Sequence, residues 1–320
     1  MNRRQALAVL GASAAAPALV SSVSWTAHAT EHEAITQVAG VQHLRVGDAV
    51  VTALLDGAIP IGADAFAALS DEEANALLRE AFLPGGPTPT AVNAYVLRDA
   101  AGTTLIDAGG GDAFPGLGGL TGALDAAGIA AEDVDTILVT HLHPDHIGGL
   151  VGANGAAFPN ARLRVHEAEI AFWTDPANRD AAPEAFRSFF DLAQAVLDAY
   201  GDRVEPFSED GTVRDGVASQ HLPGHTPGHT GFRIGSGEDA LLVWGDIVHV
   251  GPFQFPRPDL SIGFDVDPEL AARTRADVFA RVAEARTRVA GMHLSFPGVG
   301  HVAPAGDGYR FVPEPWTYRL

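Results

Sequence analysis

The 320-residue chain carries 40 acidic residues against 20 basic ones, all of them arginine, which gives a formal net charge of −20 at pH 7. Such a charge repels phosphate backbones, so nucleic acid is not expected as a partner, and a strongly anionic substrate is disfavoured unless arginines converge locally. Without cysteine or lysine, the chain can form no disulfide, thiolate ligand, cysteine nucleophile, Schiff-base lysine or P-loop lysine.

The first 29 residues are predicted to be a twin-arginine signal peptide. Arg3 and Arg4 precede an alanine-rich apolar stretch, and Ala27-His28-Ala29 fits a small-x-small cleavage site. A membrane anchor is the alternative, but the apolar stretch is short and interrupted by serine and proline. We therefore expect export to the periplasm or beyond, no membrane partner, and a single domain over residues 30–320.

The region from residue 41 to residue 140 is predicted to combine strands with two short helices. Apolar residues alternate on both sides of Gly47-Asp48, which predicts paired strands over residues 41–62. Ser70, followed by three acidic residues, is typical of the start of a helix, here ending near Phe82. The other elements are strands over residues 91–97 and 103–106, a helix near residues 117–127 and an apolar strand over residues 134–140.

The second half is predicted to continue as the same mixed domain, because we find no repeat and no convincing linker. A helix over residues 183–200 carries an aromatic and aliphatic stripe that includes Phe186 and Phe189. That stripe is interpreted as core, and a lid over an active site stays open as the alternative. The other predicted elements are strands over residues 162–166, 216–222, 230–234, 240–244 and 288–292 and a helix over residues 268–289.

One motif indicates a metal site. His141, His143, Asp145 and His146 fall within six residues, directly after an apolar strand and before Gly148-Gly149. Neutral imidazoles and carboxylates are the side chains that bind zinc-like metals. Neither surface nor core histidines need such crowding, so a catalytic metal site is the better interpretation.

Three later residues are candidates to complete the site. His225 stands in a Pro- and Gly-rich turn after a strand, and Asp246 and His293 each follow a predicted apolar strand. Each signal is weak by itself, but together with the first motif they are strong. His301 is the alternative to His293, and His229 is expected to be structural.

The order of Asp107, the His-x-His-x-Asp-His motif, His225, Asp246 and His293 resembles that of the metallo-β-lactamase superfamily. The resemblance runs from about residue 41 to residue 311. The segments 293–301 and 308–313 are similar to a branch that contains methyl parathion hydrolase and related lactone and aryl-ester hydrolases. The resemblance implies an α/β (α+β) fold, built as a four-layer αββα sandwich.

The resemblance also implies a centre of two divalent ions, expected to be zinc, with a bridging hydroxide as nucleophile. Asp107 would orient a ligand from behind, and Asp145 and Asp246 would be catalytic as well as ligating. The true β-lactamases generally lack a carboxylate at the place of Asp246, which favours ester, lactone and thioester hydrolases. The implied ligand sets are His141, His143 and His225 for one ion, Asp145, His146 and His293 for the other, and Asp246 as the bridge.

Substrate choice is expected to depend on residues around this centre. His249 lies three residues after Asp246, where lactonase relatives often place a tyrosine that contacts the substrate carbonyl. A histidine there could donate a hydrogen bond to an oxyanion or leaving alkoxide, or it could simply continue the chain beyond the strand. Trp173, Phe253 and Phe264 are candidates for an apolar wall. The expected substrate is a small uncharged lactone or ester.

The leading hypothesis is therefore a dinuclear hydrolase of lactones or aryl esters, with possible side activity on organophosphate triesters. A glyoxalase II-like thioesterase or a mononuclear-iron sulfur dioxygenase is the second hypothesis, although glutathione substrates would need a basic pocket. A non-catalytic metal-binding protein is the third. A homodimer is possible, because relatives are often dimers.

Overall fold

Strands and helices alternate along residues 37–320, the part of the chain that the computed structural model describes. Residues 39–320 form one compact unit. The predicted signal peptide and the predicted domain start at residue 30 lie outside the described residues. Within those residues, no helix is long and apolar enough to cross a bilayer.

The elements of this part of the chain are numbered in chain order. The strands are β1 (Val41–Val46), β2 (Ala49–Ile61), β3 (Thr88–Asp99), β4 (Gly102–Ile106), β5 (Thr136–Leu138), β6 (Val151–Gly152), β7 (Gly155–Ala156), β8 (Arg162–His166), β9 (Val204–Phe207), β10 (Gly211–Arg214), β11 (Val217–His221), β12 (Thr230–Ile234), β13 (Leu241–Val243), β14 (Arg288–Ala290), β15 (Val299–Ala305) and β16 (Gly308–Pro313). The α-helices are α1 (Asp71–Glu80), α2 (Leu120–Ala126), α3 (Pro144–Ile147), α4 (Glu167–Trp173), α5 (Pro176–Ala181), α6 (Arg187–Tyr200), α7 (Gly251–Gln254) and α8 (Pro268–Glu284).

Two sheets of seven strands each form the centre of the fold. The first has the order β1-β2-β3-β4-β5-β8-β9, and the second runs from β10 to β16 in sequence order. Strands β4, β5, β8 and β9 are parallel neighbours in the first sheet, as are β13 and β14 in the second. The loops that follow β4 and β5, those that follow β13 and β14, and the loop between β11 and β12 supply the polar residues of the site.

Three apolar layers hold the sheets and helices together. The layer between the sheets includes Tyr95 and Phe232. A second layer, with Phe190 and Leu197 of α6, covers the outer face of the first sheet, and a third, with Phe279 of α8, covers the outer face of the second. This is the predicted four-layer αββα sandwich.

The predicted start of one helix is confirmed, and the predicted end of another is corrected. The Ser70 hydroxyl accepts a hydrogen bond from the Glu73 amide, as its predicted place at the start of α1 requires. The predicted extension of the long helix to residue 289 is wrong, because the helix ends at Glu284 and Arg286 adopts a left-handed φ of 51°. That turn ends the helix and lets the chain enter β14. The β15–β16 hairpin was not predicted.

Candidate metal centre

Ligand candidates are gathered at one edge of the sandwich because they follow neighbouring strands. Asp107 follows β4, and the His-x-His-x-Asp-His motif follows β5. In the second sheet, Asp246 and His293 each come three residues after their parallel strands, β13 and β14. Strands that end together place their first loop residues together, and all of these side chains are buried or nearly so.

The first group consists of three imidazoles. His141 Nε2 lies 3.0 Å from His143 Nδ1, and His225 Nε2 lies 3.2 Å and 2.9 Å from these two atoms. Nitrogens bound to one tetrahedral zinc at about 2.0–2.1 Å would lie roughly 3.3 Å apart. The three nitrogens therefore stand close to the positions that a single ion would impose.

The second group contains one carboxylate and two imidazoles. Asp145 Oδ2 lies 3.5 Å from His146 Nε2 and 3.3 Å from His293 Nε2. These ligand atoms form a second cluster with metal-binding spacing. His301 lies outside it, on β15, so the structure brings His293 rather than His301 to the site.

Asp246 connects the two groups through a single oxygen. Its Oδ2 lies 3.6 Å from His141 Nε2 and 3.3 Å from His225 Nε2, both in the first group. The same atom lies 3.3 Å from His146 Nε2 and 3.1 Å from His293 Nε2, both in the second. This position would allow Asp246 to contact ions held by both groups.

Hydrogen bonds leave the lone pairs of the histidines directed at the cluster. His146 Nδ1 donates to Asp107 Oδ2 at 2.7 Å, and His225 Nδ1 donates to Asp265 Oδ1 at 2.8 Å. His293 Nδ1 donates to the Ala91 carbonyl at 2.9 Å. Since Nδ1 keeps its proton for this bond in each of them, Nε2 is the atom that can bind a metal once any second proton has left.

His141 is oriented in the same way through a threonine. The Thr140 hydroxyl donates a hydrogen bond to Asp107 Oδ2 at 2.7 Å, so its oxygen can accept one from His141 Nδ1 at 3.0 Å. Asp107, which has a left-handed φ of 54°, also accepts from the Thr140 amide at 2.8 Å. One buried carboxylate thus orients a ligand of each group.

The donor set fits two divalent ions. Converging imidazole lone pairs repel one another unless a cation lies between them. Asp246 Oδ1 and His146 Nε2 are buried and have no hydrogen-bond partner among the described residues. Buried polar atoms of this kind normally have a partner, and two metal ions would supply it.

Protonation in the metal-free cluster is uneven. Burial lowers the pKa of His141 and His143, so both rings are neutral at pH 7. Burial also opposes the charged form of His225, but hydrogen bonds to Asp246 and Asp265 outweigh it and raise its pKa to about 9. Asp246 and Asp145 raise the pKa of His293 to about 10 in the same way, against burial.

Sequence reasoning did not find two buried carboxylates that support the ligand loops. Asp265 comes from the segment before α8 and belongs to no motif. Glu169 of α4 accepts from the Leu142 amide at 2.9 Å and from the Gly228 amide at 2.8 Å. It thereby connects the loop of His141 and His143 to the loop of His225, a contact that no local pattern could indicate.

The structure places His229 behind the ligands. Its Nδ1 donates to the Leu222 carbonyl at 2.8 Å, and its Nε2 accepts from the Asp246 amide at 2.9 Å. Burial and the charge of His225 lower its pKa to about 3, which keeps the ring neutral. These bonds fix the backbone at Asp246, so the role of His229 is structural.

His249 lies against the centre rather than beyond it. Its ring is buried and stacks on His293, with centroids 5.1 Å apart, and its Nε2 lies 3.1 Å from Asp246 Oδ2. Burial lowers its pKa to about 4, and neighbouring histidines contribute in the same direction. A neutral imidazole with its Nε2 beside the bridging carboxylate can donate one hydrogen bond in front of the metals.

A cavity of about 560 Å³, the site cavity, opens directly onto these groups. Phe186 and Phe189, from the start of α6, line it together with Phe264. Further along the same helix, Phe190 and Leu197 are core residues, so the predicted stripe is divided between core and cavity. The complete lining is Ile59, Pro60, Ile61, Phe114, Pro115, His143, Asp145, Ala185, Phe186, Phe189, Asp246, His249, Phe264 and His293.

The three predicted wall residues have different locations. Phe264 lines the site cavity, and Trp173 lines a neighbouring side cavity of about 470 Å³ that shares His143 and Phe264 with it. The prediction for Phe253 is wrong. Its ring is fully buried, 5.5 Å from that of Phe66, because α7 turns it into the core under α1.

Comparison with known proteins agrees with this geometry. A family model described as the metallo-β-lactamase superfamily matches residues 87–293. The chain belongs to this superfamily, and its two ligand clusters are those of a metal-dependent hydrolase.

Three individual proteins are similar to this chain. The solved hydrolase AbOPH, of the β-lactamase superfamily, is 33% identical, with a TM-score of 0.81 over 88% of this chain and all of its own. AidC, a dizinc quorum-quenching lactonase solved with the product N-hexanoyl-L-homoserine, is 28% identical, with a TM-score of 0.83 over the same shares. The uncharacterized protein YobT of Bacillus subtilis is 26% identical over 173 residues, which cover 52% of this chain and 69% of YobT.

Proposed function

We propose that this protein is a dinuclear zinc hydrolase of small, uncharged lactones or aryl esters. The observation that carries the proposal is the apolar site cavity, which ends at Asp246 and His249. The similarity to a dizinc lactonase supports both the metal and the substrate class.

The lining of the site cavity favours a neutral substrate. Phe186, Phe189 and Phe264 form aromatic walls, and the charged residues in the described lining are the ligands Asp145 and Asp246. An ionised substrate would lose its hydration there without gaining an oppositely charged side chain. This also disfavours glutathione thioesters, which carry carboxylates.

Two bound divalent ions would lower the pKa of a coordinated water to about 7 and polarise a carbonyl or phosphoryl oxygen. The protein contributes the geometry. Asp246 holds the two ligand groups together, and Asp107 and Asp265 fix the orientation of His146 and His225. The half-buried Phe189 and Phe264 limit access of bulk water to the reacting group.

His249 is positioned to assist departure of the leaving group. Its Nε2 lies beside Asp246 Oδ2, and its ring faces the site cavity. A neutral His249 can donate from Nε2 to the oxyanion, or to the alkoxide as the ester C–O bond breaks. The alcohol product takes its proton from the attacking water, so His249 stays neutral throughout. A neutral phosphotriester presents a similar oxygen, which supports organophosphate hydrolysis as a side activity.

Parallel turnover assays test this proposal. The zinc-loaded protein is given a small aromatic lactone, a phenyl ester and a diaryl phosphotriester, and wild type is compared with His249→Leu. We expect efficient lactone or ester turnover that falls by about 10²–10³-fold in the variant, the usual loss when an oxyanion donor is removed. His301→Leu, which changes a histidine outside the clusters, serves as the matched control.

The alternatives predict different results. Preference for the phosphotriester, with no effect of His249→Leu, would move the protein to organophosphates and leave His249 without a catalytic role. Efficient β-lactam cleavage without lactone or ester turnover would contradict the proposal. One iron and no zinc per chain would instead favour a sulfur dioxygenase.

We also propose that the protein is exported by the twin-arginine route. The pair Arg3 and Arg4 and the site Ala27-His28-Ala29 support this. Amino-terminal sequencing of the cell-envelope fraction should find Thr30 as the first residue. Replacement of both arginines by lysine should retain the full-length chain in the cytoplasm.

A further inference from the structure

Helix α8 carries a buried arginine that the proposed reaction does not use. The Arg275 side chain is 1% exposed, whereas Arg273 and Arg281 on the same helix are exposed and pair with acidic residues four positions earlier. A buried charge is costly unless other groups satisfy it. The groups that satisfy Arg275 therefore indicate its role.

Arg275 bonds to the segment that carries the bridging ligand. Its Nε donates to the Ile247 carbonyl at 2.7 Å, and Ile247 directly follows Asp246. Its Nη1 donates to the carbonyls of Pro258 and Leu260, at 3.0 Å and 2.7 Å. One guanidinium thus connects the start and the middle of the segment between β13 and α8.

The same guanidinium also faces the carboxylate that supports a ligand of the first group. Arg275 Nη2 lies 3.9 Å from Asp265 Oδ2, and Asp265 Oδ1 accepts a hydrogen bond from His225 Nδ1 at 2.8 Å. Asp265 Oδ2 is further fixed by the Ile262 amide at 3.0 Å. The orientation of His225 therefore depends on Asp265, whose other carboxylate oxygen faces the Arg275 guanidinium.

Gln254 completes this network. Its Oε1 accepts from the His249 amide at 2.7 Å and from the Val250 amide at 3.2 Å. Its Nε2 donates to the Leu260 carbonyl at 3.1 Å, the same oxygen that Arg275 binds. The backbone of His249 and the guanidinium of Arg275 are thereby fixed to one another.

We propose that Arg275 is a positioning residue of the metal centre, which sets the affinity of the ion held by His141, His143 and His225 by fixing Asp265 and the segment that carries it. The inference depends on the metal centre and not on the substrate. If the buried side chain only filled space, methionine would replace it with little effect on metal binding. Because arginine donates to several carbonyls and faces a carboxylate, lysine can replace it only in part.

Zinc affinity is the direct test. The metal-free full-length protein is titrated with zinc against a competing chelator in the wild type, Arg275→Lys, Arg275→Met and the matched control Arg273→Met. We expect Arg275→Met to weaken one of the two zinc ions by about 10–100-fold, the usual range when support behind a ligand is lost. Arg275→Lys should lie between wild type and Arg275→Met, and Arg273→Met should match the wild type.

Unfolding of the same metal-free proteins separates positioning from simple stabilisation. A purely structural arginine would lower the free energy of unfolding of the metal-free protein and leave both zinc affinities unchanged, which would overturn the proposal. An equal loss for both ions would also overturn it, because Asp265 contacts His225 alone among the ligands.

A second pair of variants keeps the test valid if Arg275→Met does not fold. Asp265→Asn should weaken the same zinc ion, and Asp265→Asn with Arg275→Lys should be little worse than Asp265→Asn alone, because both changes act through one contact. Effects that multiply would show that Arg275 and Asp265 act independently and would contradict the proposal. Zinc stoichiometry and affinity remain measurable even if no lactone or ester is cleaved.

Discussion

The metal centre and the wall of the site cavity lie side by side but are held in different ways. At the centre, hydrogen bonds or close polar contacts fix the ligating side chains, and supporting groups such as Asp107 and Asp265 are themselves fixed. The wall depends on contacts between rings, such as those of Phe186 with Phe189 and Phe264. The centre therefore defines one chemistry, whereas the wall can change shape and with it the choice of substrate.

Removal of the bridge should have the largest effect. Asp246→Asn keeps the size of the side chain but replaces the carboxylate, whose Oδ2 lies between the two ligand groups, with a neutral amide. We expect activity to fall by at least about 10³-fold and zinc content to drop below two per chain. Metal analysis and steady-state kinetics measure both, and an active two-zinc variant would contradict the bridging role.

The centre should also respond strongly to pH. Without metal, the pKa values of His225, about 9, and His293, about 10, and the strongly raised pKa of His146 keep all three rings protonated at pH 7. Zinc must displace these protons, so affinity should rise with pH towards those values and fall as pH is lowered. If three protons leave, the overall constant for two ions changes by about 1,000-fold per pH unit between pH 7 and 9.

A pH indicator in weakly buffered solution should therefore record about three protons released from these histidines per chain during a zinc titration at pH 7. Binding without proton release would show that these histidines are already neutral. Repetition at pH 10 provides the internal control, since less release is expected there.

Replacement of a residue that supports a ligand should have a smaller effect than removal of the bridge. Asp107→Asn retains a hydrogen-bond acceptor for His146 but removes the charge that faces it. We expect zinc affinity to fall by about 10–100-fold while the fold persists. Chelator competition measures this loss, and an unchanged affinity would mean that geometry alone, without the carboxylate charge, is sufficient.

The smallest effect should come from the wall. Phe264→Leu should raise KM for an aromatic lactone several-fold, by roughly 1 kcal/mol, with zinc affinity unchanged. Phe253→Leu is the matched control, because Phe253 is buried in the core. It should lower the free energy of unfolding by about 1–2 kcal/mol and leave KM unchanged. The reverse pattern would show that the two rings have been assigned incorrectly.

The sequence could predict the ligands that are neighbours in the chain or stand at strand ends. His141, His143, Asp145 and His146 are neighbours in the chain, so their proximity is visible in the sequence. His225, Asp246 and His293 stand at strand ends, and the order of ligands supported their assignment. The fold class was implied by that resemblance, and the predicted strands and helices were compatible with it.

Long-range support could not be predicted in this way. Asp265, Glu169 and Arg275 belong to no motif; Glu169 and Arg275 come from helices α4 and α8, and Asp265 comes from the segment before α8. Phe253 and Phe264 look equally suitable in sequence, but the turn of α7 directs one to the core and leaves the other at the cavity. Signal peptide and dimer remain predictions.

Glu169 has a consequence for how the protein takes up its metal. The amides of Leu142 and Gly228 both donate to this buried carboxylate, and neither bond involves a ligand atom. These two amide hydrogens should therefore exchange slowly with solvent even after zinc is removed. The loops that carry the ligand histidines would then keep their conformation without zinc. The rate of zinc uptake would be governed by diffusion and proton loss rather than by refolding.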